Sequence, residues 1–208
     1  MRRQLPLLLL LAVLAVLAGC GTVVTSSIPP AHAASPQRTE LGWLESIGDR
    51  TGRIVFGVQA FEVTRDGWRA HISLENTTDV PFAVGLPNLR SSLEFGLMLF
   101  ATGKHSELEA RNASSSLPTI RPAETYTPAL PAQLNAHESW KGTIAAGGPV
   151  AAGTWVRIVF GDLFPASVIV PKGTRPTKPV PTLPEALSTA NIGSRLIWIT
   201  DHAYELKR

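Results

Sequence analysis

Five histidines, His32, His71, His105, His137 and His202, are the side chains of this 208-residue chain best suited to proton transfer or metal ligation near neutral pH. Their spacing argues for neither role. The sequence contains no His-Glu-x-x-His pair and no paired-cysteine pattern, the two spacings that put zinc ligands on one site. It also lacks Gly-x-Ser-x-Gly, a Walker loop and Gly-x-Gly-x-x-Gly, so neither a nucleophile elbow nor a phosphate cradle is written locally. His32 sits among prolines and small residues, His71 points outward from an alternating strand, and His105 and His137 fall in or near turns. One combination stays open, a surface site made by His71, His137 or His202 with Asp201 or Glu138, against the simpler expectation of solvated histidines. A Ser-His-Asp arrangement is available to almost any chain of this length, and nothing here orients one. The expectation is therefore no catalytic residue, no metal and no cofactor.

The chain starts Met1-Arg2-Arg3, continues through an apolar run of about 14 residues from Leu5 to Ala18, and reaches Cys20, its one cysteine, after the small residues Ala18 and Gly19. A charged start, a short apolar stretch and small residues at its end describe a secretory signal peptide. The run is too short to cross a hydrocarbon core of roughly 30 Å comfortably. Its end, Leu17-Ala18-Gly19-Cys20, resembles the lipobox of bacterial lipoproteins. The resemblance implies cleavage just before Cys20 and a diacylglycerol on its sulfur. It also implies a protein held to the outer face of the cytoplasmic membrane or elsewhere in the cell envelope. Two acyl chains anchor stably where one holds only marginally.

The whole chain carries 19 Lys and Arg against 16 Asp and Glu, a formal charge of +3. Residues 1–19 contribute Arg2 and Arg3 and no acid, so the part from Cys20 onward holds 17 against 16, or +1. No run of five like charges occurs, and a nucleic-acid partner is not expected. A single cysteine excludes an internal disulfide, so stability must come from a hydrophobic core. Residues 20–40 are rich in small residues, hydroxyls and prolines and read as a flexible tether. Residues 41–208 are long enough for one domain that buries about two thirds of its unfolded surface.

Within that domain the apolar pattern has a period of two. Residues 54–63 are β-branched and aromatic, Asp66-Gly67 marks a hairpin, and Trp68, Ala70, Ile72 and Leu74 then alternate with Arg69, His71, Ser73 and Glu75. Asn76-Thr77-Thr78-Asp79 turns the chain, and residues 80–85 follow as a short strand. Residues 93–100 are apolar on both faces, as a central strand would be. Residues 134–144 give a turn and a strand with Trp140 and Ile144 on one face, and strands follow at 154–160 and 194–200. Two long loops are expected at 111–131, with at most one edge strand, and at 171–184, which is proline-rich. Helical signal is confined to a short turn at 41–47 and another at 183–188. About seven short strands with turn signals point to an all-β antiparallel β-sandwich, a closed barrel being the alternative.

Phe61-Glu62-Val63, the Ile72–Thr77 stretch ending in Asn76-Thr77, residues 134–144, and Gly153-Thr154-Trp155-Val156-Arg157 together resemble strands of bacterial immunoglobulin-like modules. The resemblance spans about residues 54–160 and implies an immunoglobulin-like sandwich without the bridging cysteines. It implies a binding or assembly part, although a fold alone does not set function.

Of five tryptophans, Trp68, Trp140 and Trp198 read as core, while Trp43 lies near the tether. If Val156, Ile158 and Phe160 face inward, Trp155 and Arg157 share the outer face and form a possible binding surface. The expected function is that of a non-enzymatic, lipid-anchored envelope protein that binds a protein partner in an accessory or assembly role. The long loops are the natural reading surface. The alternative is a lipoprotein that captures a glycan, a small solute or a metal ion.

Overall fold

The computed structural model describes residues 32–85, 95–165 and 196–208, which carry twelve strands and one helix. The strands are β1 (Gln37–Asp49), β2 (Gly52–Val63), β3 (Gly67–Asn76), β4 (Phe82–Val84), β5 (Gly96–Phe100), β6 (Arg121–Pro122), β7 (Thr125–Thr127), β8 (Gln133–Leu134), β9 (Ser139–Gly147), β10 (Trp155–Pro165), β11 (Leu196–Ile199) and β12 (Tyr204–Glu205), and the helix is α1 (His105–Ala113). The strands expected at 54–63, 68–75, 80–85, 93–100, 134–144, 154–160 and 194–200 correspond to β2, β3, β4, β5, β8 with β9, β10 and β11, whereas β1, β6, β7 and β12 come in addition. The expected signal segment, Cys20, the proline-rich 171–184 and the turn expected at 183–188 lie outside the described residues.

All pairings are antiparallel, and the chain is an all-β sandwich of a five-stranded sheet, β1-β2-β3-β9-β7, and a seven-stranded sheet built around β10. The hairpin at Asp66-Gly67 forms as its sequence dictates. Thr64 N–H donates to the Gly67 carbonyl at 2.8 Å, and Val63 pairs with Trp68. Gly67 is needed for close approach as well as for the turn, since a Cβ there would stand 2.1 Å from the Ala146 carbonyl oxygen of β9.

In the second sheet Leu163 is flanked by Val84 and Leu196, and Val159 by Gly96 and Ile199. Strands β4 and β5 therefore follow one another along one side of β10, while β11 and β12 line the other. Between the sheets lies the main core, in which Phe56 touches both Phe160 and Trp198 at 5.1 Å between ring centroids. Each large side chain buried there contributes about 2–3 kcal/mol of transfer free energy.

A second apolar cluster lies on the opposite face of the second sheet, where Met98, Phe100 and Val159 pack with Leu108 of α1. This explains the two-sided apolar run of residues 93–100: Leu97 faces the sandwich core, whereas Met98 and Phe100 face the helix.

Three expectations are corrected. Residues 41–47 are part of β1 and not a helical turn, because the chain pairs with β2 from Gln37 to Asp49 and this ladder overrides weak local propensity. The fold also begins before residue 41. Ala33 bridges to Ala151, Ala34 is buried, and the compact unit runs Ala31–Arg208. Residues 111–131 are not one irregular loop, since they hold the end of α1 and the strands β6 and β7.

Candidate functional site

Strand β10 alternates as the sequence requires. Val156, Ile158 and Phe160 enter the main core, and Trp155, Arg157 and Val159 face the other way. The two residues anticipated as a binding surface then diverge. Arg157 is fully buried, a correction to its expected surface role. Its Nη1 donates to the carbonyls of Thr200 (2.7 Å) and Asp201, and its Nη2 to those of Gly103 (3.2 Å) and Lys104 (3.1 Å). The guanidinium lies 5.3 Å from the centre of the Phe100 ring. Burial pushes the Arg157 pKa down, against the pull of the Asp201, Glu45 and Glu107 carboxylates. A planar cation with five donors suits a pocket of carbonyl groups, and it ties the start of α1 to the end of β11.

Trp155 stays half-buried on that outer face. Its ring lies over Gly103, where a Cβ would come within 2.3 Å of Trp155 Cε3. Beside it, Leu117, Ile120, Ile197 and Ile199 are also only partly covered and pack on the second cluster. The result is a strip of half-exposed apolar side chains drawn from β10, β11 and the chain after α1.

Ionic groups border the strip. His105 places Nδ1 3.3 Å from Asp201 Oδ1 and Nε2 3.3 Å from Glu109 Oε1. Glu107, in the first turn of α1, accepts from Thr102 N–H and Thr102 Oγ1, both at 2.7 Å, and from Arg111 Nε at 2.9 Å. Burial opposes ionisation of Glu107, but these bonds prevail and hold its pKa down at about 2. The helix was not anticipated. Its signal was present in Glu107 and Arg111, an acid and a base four residues apart in the favourable order.

Glu45 of β1 closes the neighbouring edge of the sandwich. Its buried carboxylate accepts from Trp198 Nε1 (2.7 Å), Asp201 N–H (3.0 Å), His202 N–H (3.1 Å) and His202 Nδ1 (2.7 Å). The His202 ring stacks on Trp43 at 5.6 Å. Burial raises the Glu45 pKa, yet the bonds from His202, Asp201 and Trp198 outweigh it and set it below the usual carboxylate range.

The histidines do not converge. His71 meets Thr143 Oγ1 at 2.9 Å, His137 pairs with Asp79 at 2.8 Å, and His202 is taken by Glu45. Glu138 accepts from Asn135. Among the described residues no group of three or more His, Cys, Asp or Glu is placed to hold a metal ion. No protein-family model, curated protein sequence or solved structure matches the chain.

Proposed function

We propose that this chain is a non-enzymatic lipoprotein, anchored through Cys20 at the outer face of the cytoplasmic membrane or elsewhere in the envelope, that docks a protein partner on the outer face of its second sheet. The carrying observation is the strip formed by Trp155, Leu117, Ile120, Ile197 and Ile199, apolar and half-exposed on a rigid support. A contiguous apolar surface with a polar rim is the usual chemistry of a protein interface, and Trp is enriched at its energetic centre. His105, Glu109 and Asp201 supply that rim. The buried Arg157 pin supports the reading because it holds α1 and β11 in fixed positions around Trp155. The anchor rests on Leu17-Ala18-Gly19-Cys20.

The test uses the full chain expressed in a bacterial envelope. Replacing Cys20 with Ser should move the protein from the membrane fraction to the soluble one, and retention in the membrane would refute the anchor. A photoreactive residue at Ile197 should yield a discrete crosslinked species that is absent when the same residue stands at Gln59, exposed on the five-stranded sheet. The crosslink should weaken in Trp155→Ala. Equal crosslinking from both faces, or none from Ile197, would refute the docking surface.

A further inference from the structure

The outer strands of the two sheets differ in length. In the five-stranded sheet β7 has three residues and is followed by Pro128. In the second sheet β6 has two residues, one of them Pro122, β8 and β12 have two each, and β11 has four. Short strands and prolines keep an edge from pairing with another chain. Strand β1 is the exception: 13 residues long, it ends the five-stranded sheet with no strand beyond it among the described residues.

The first half of β1 is blunted by Arg38, Glu40 and the bulge between Glu40 and Trp43. The second half is not. A two-residue turn, Arg50-Thr51, joins β1 to β2, with Asp49 opposite Gly52. In such a hairpin alternate residues turn N–H and C=O to the partner strand. Ile47, Glu45 and Trp43 therefore face β2, while Ser46 and Leu44 offer their main-chain groups to the open edge. Leu44 is 71 % exposed, the one large apolar side chain so exposed among the described residues. The single charge of this half-strand before Asp49 is Glu45, which is buried and enclosed by its own four donors.

This edge is complementary to itself. In an antiparallel pair of two copies centred on Glu45, Leu44 lies opposite Ser46 of the other copy, and half-buried Trp43 lies opposite half-buried Ile47. Glu40 of each copy then stands beside Arg50 of the other. Both are exposed and of opposite sign, and two-fold symmetry makes the contact twice. We propose that β1 pairs in this register with β1 of a second copy, joining two five-stranded sheets into one of ten strands. The edge contributes none of the five apolar residues of the strip around Trp155, so the two surfaces stand or fall separately.

Full-length protein in density-matched detergent should sediment as a reversible monomer–dimer mixture. Glu40→Arg sets like charges beside each other twice and should weaken the dimer about tenfold, and adding Arg50→Glu should restore it. A monomer at every concentration, a dimer indifferent to Glu40→Arg, or a loss that Arg50→Glu does not reverse would overturn the pairing. In the bacterial envelope, a photoreactive residue at Leu44 should give a product whose joined tryptic fragments are both Thr39–Arg50. The same residue at Lys141, exposed on β9, should not. Leu44 joined to a fragment of another protein, or to no second copy, would overturn the choice of occupant.

Discussion

Removing the Glu45 carboxylate should unfasten one edge of the sandwich, and the size of the loss follows from its partners. Four donors converge on this group, two of them backbone N–H groups of Asp201 and His202 and one the Trp198 indole. The Glu45 side chain is 6 % exposed, whereas His202 is 56 % exposed and can turn its ring nitrogen to water. In Glu45→Ala three donors are then left without an acceptor, at about 1–3 kcal/mol each when buried. Partial access of water around residues 201–202 brings the expected total to about 3–4 kcal/mol. For a domain of this size, that corresponds to a fall in melting temperature of roughly 6–16 °C. Glu45→Gln keeps one acceptor oxygen but turns an NH₂ toward donors, so it should lose about half as much. Urea unfolding followed by tryptophan fluorescence measures both variants, with Trp198 as a local reporter. The sign with pH is also determined. The Glu45 pKa is lowered in the folded state, so its stabilisation is complete above the ordinary value of 4.5 and is lost as pH falls through the folded one. Wild type and Glu45→Gln should therefore differ most near neutrality and converge in acid. A loss below about 1 kcal/mol for Glu45→Ala, or a gap that widens on acidification, would refute the reasoning.

Glu107→Gln should flatten the acid limb of stability between the ordinary value of 4.5 and the folded value of about 2, a window visible in thermal melts at stepped pH. Arg157→Lys keeps the charge but cannot reach four carbonyls at once, and should lose about 2–4 kcal/mol in urea unfolding. Asn76→Ala removes the side chain whose Nδ2 donates to Val80 and Asn135 and whose Oδ1 accepts from Thr78, and should lose about 3 kcal/mol by the same assay. Trp155→Ala, at a half-covered position, should leave the fold intact yet weaken the Ile197 crosslink, as thermal melts together with crosslinking assays would register.

Several elements were legible in the sequence for a common reason. The β2–β3 hairpin, the inward faces of β3 and β10 and the turn at Asn76 follow from a period of two and from local turn chemistry. The outward direction of Trp155 and Arg157 was legible in the same way. Their different fates were not, because cover over an outer face comes from residues distant in sequence. Arg157 is enclosed by carbonyls at residues 103–104 and 200–201, some fifty residues before it and forty after. The Leu41–Ile47 stretch misled because its strand state comes from pairing with β2 and not from its own composition.

By itself, the sequence determined the lipobox-like start, the strand periods and hence the all-β class, since each depends on neighbours within a few residues. Only the tertiary structure decided that α1 covers the second sheet, that Glu45 joins β1 to residues 198–202, and that Arg157 is a buried pin while Trp155 stays half-open. Those are contacts between segments up to 157 residues apart in the chain, and local pattern carries no information about which distant surface will pack against it.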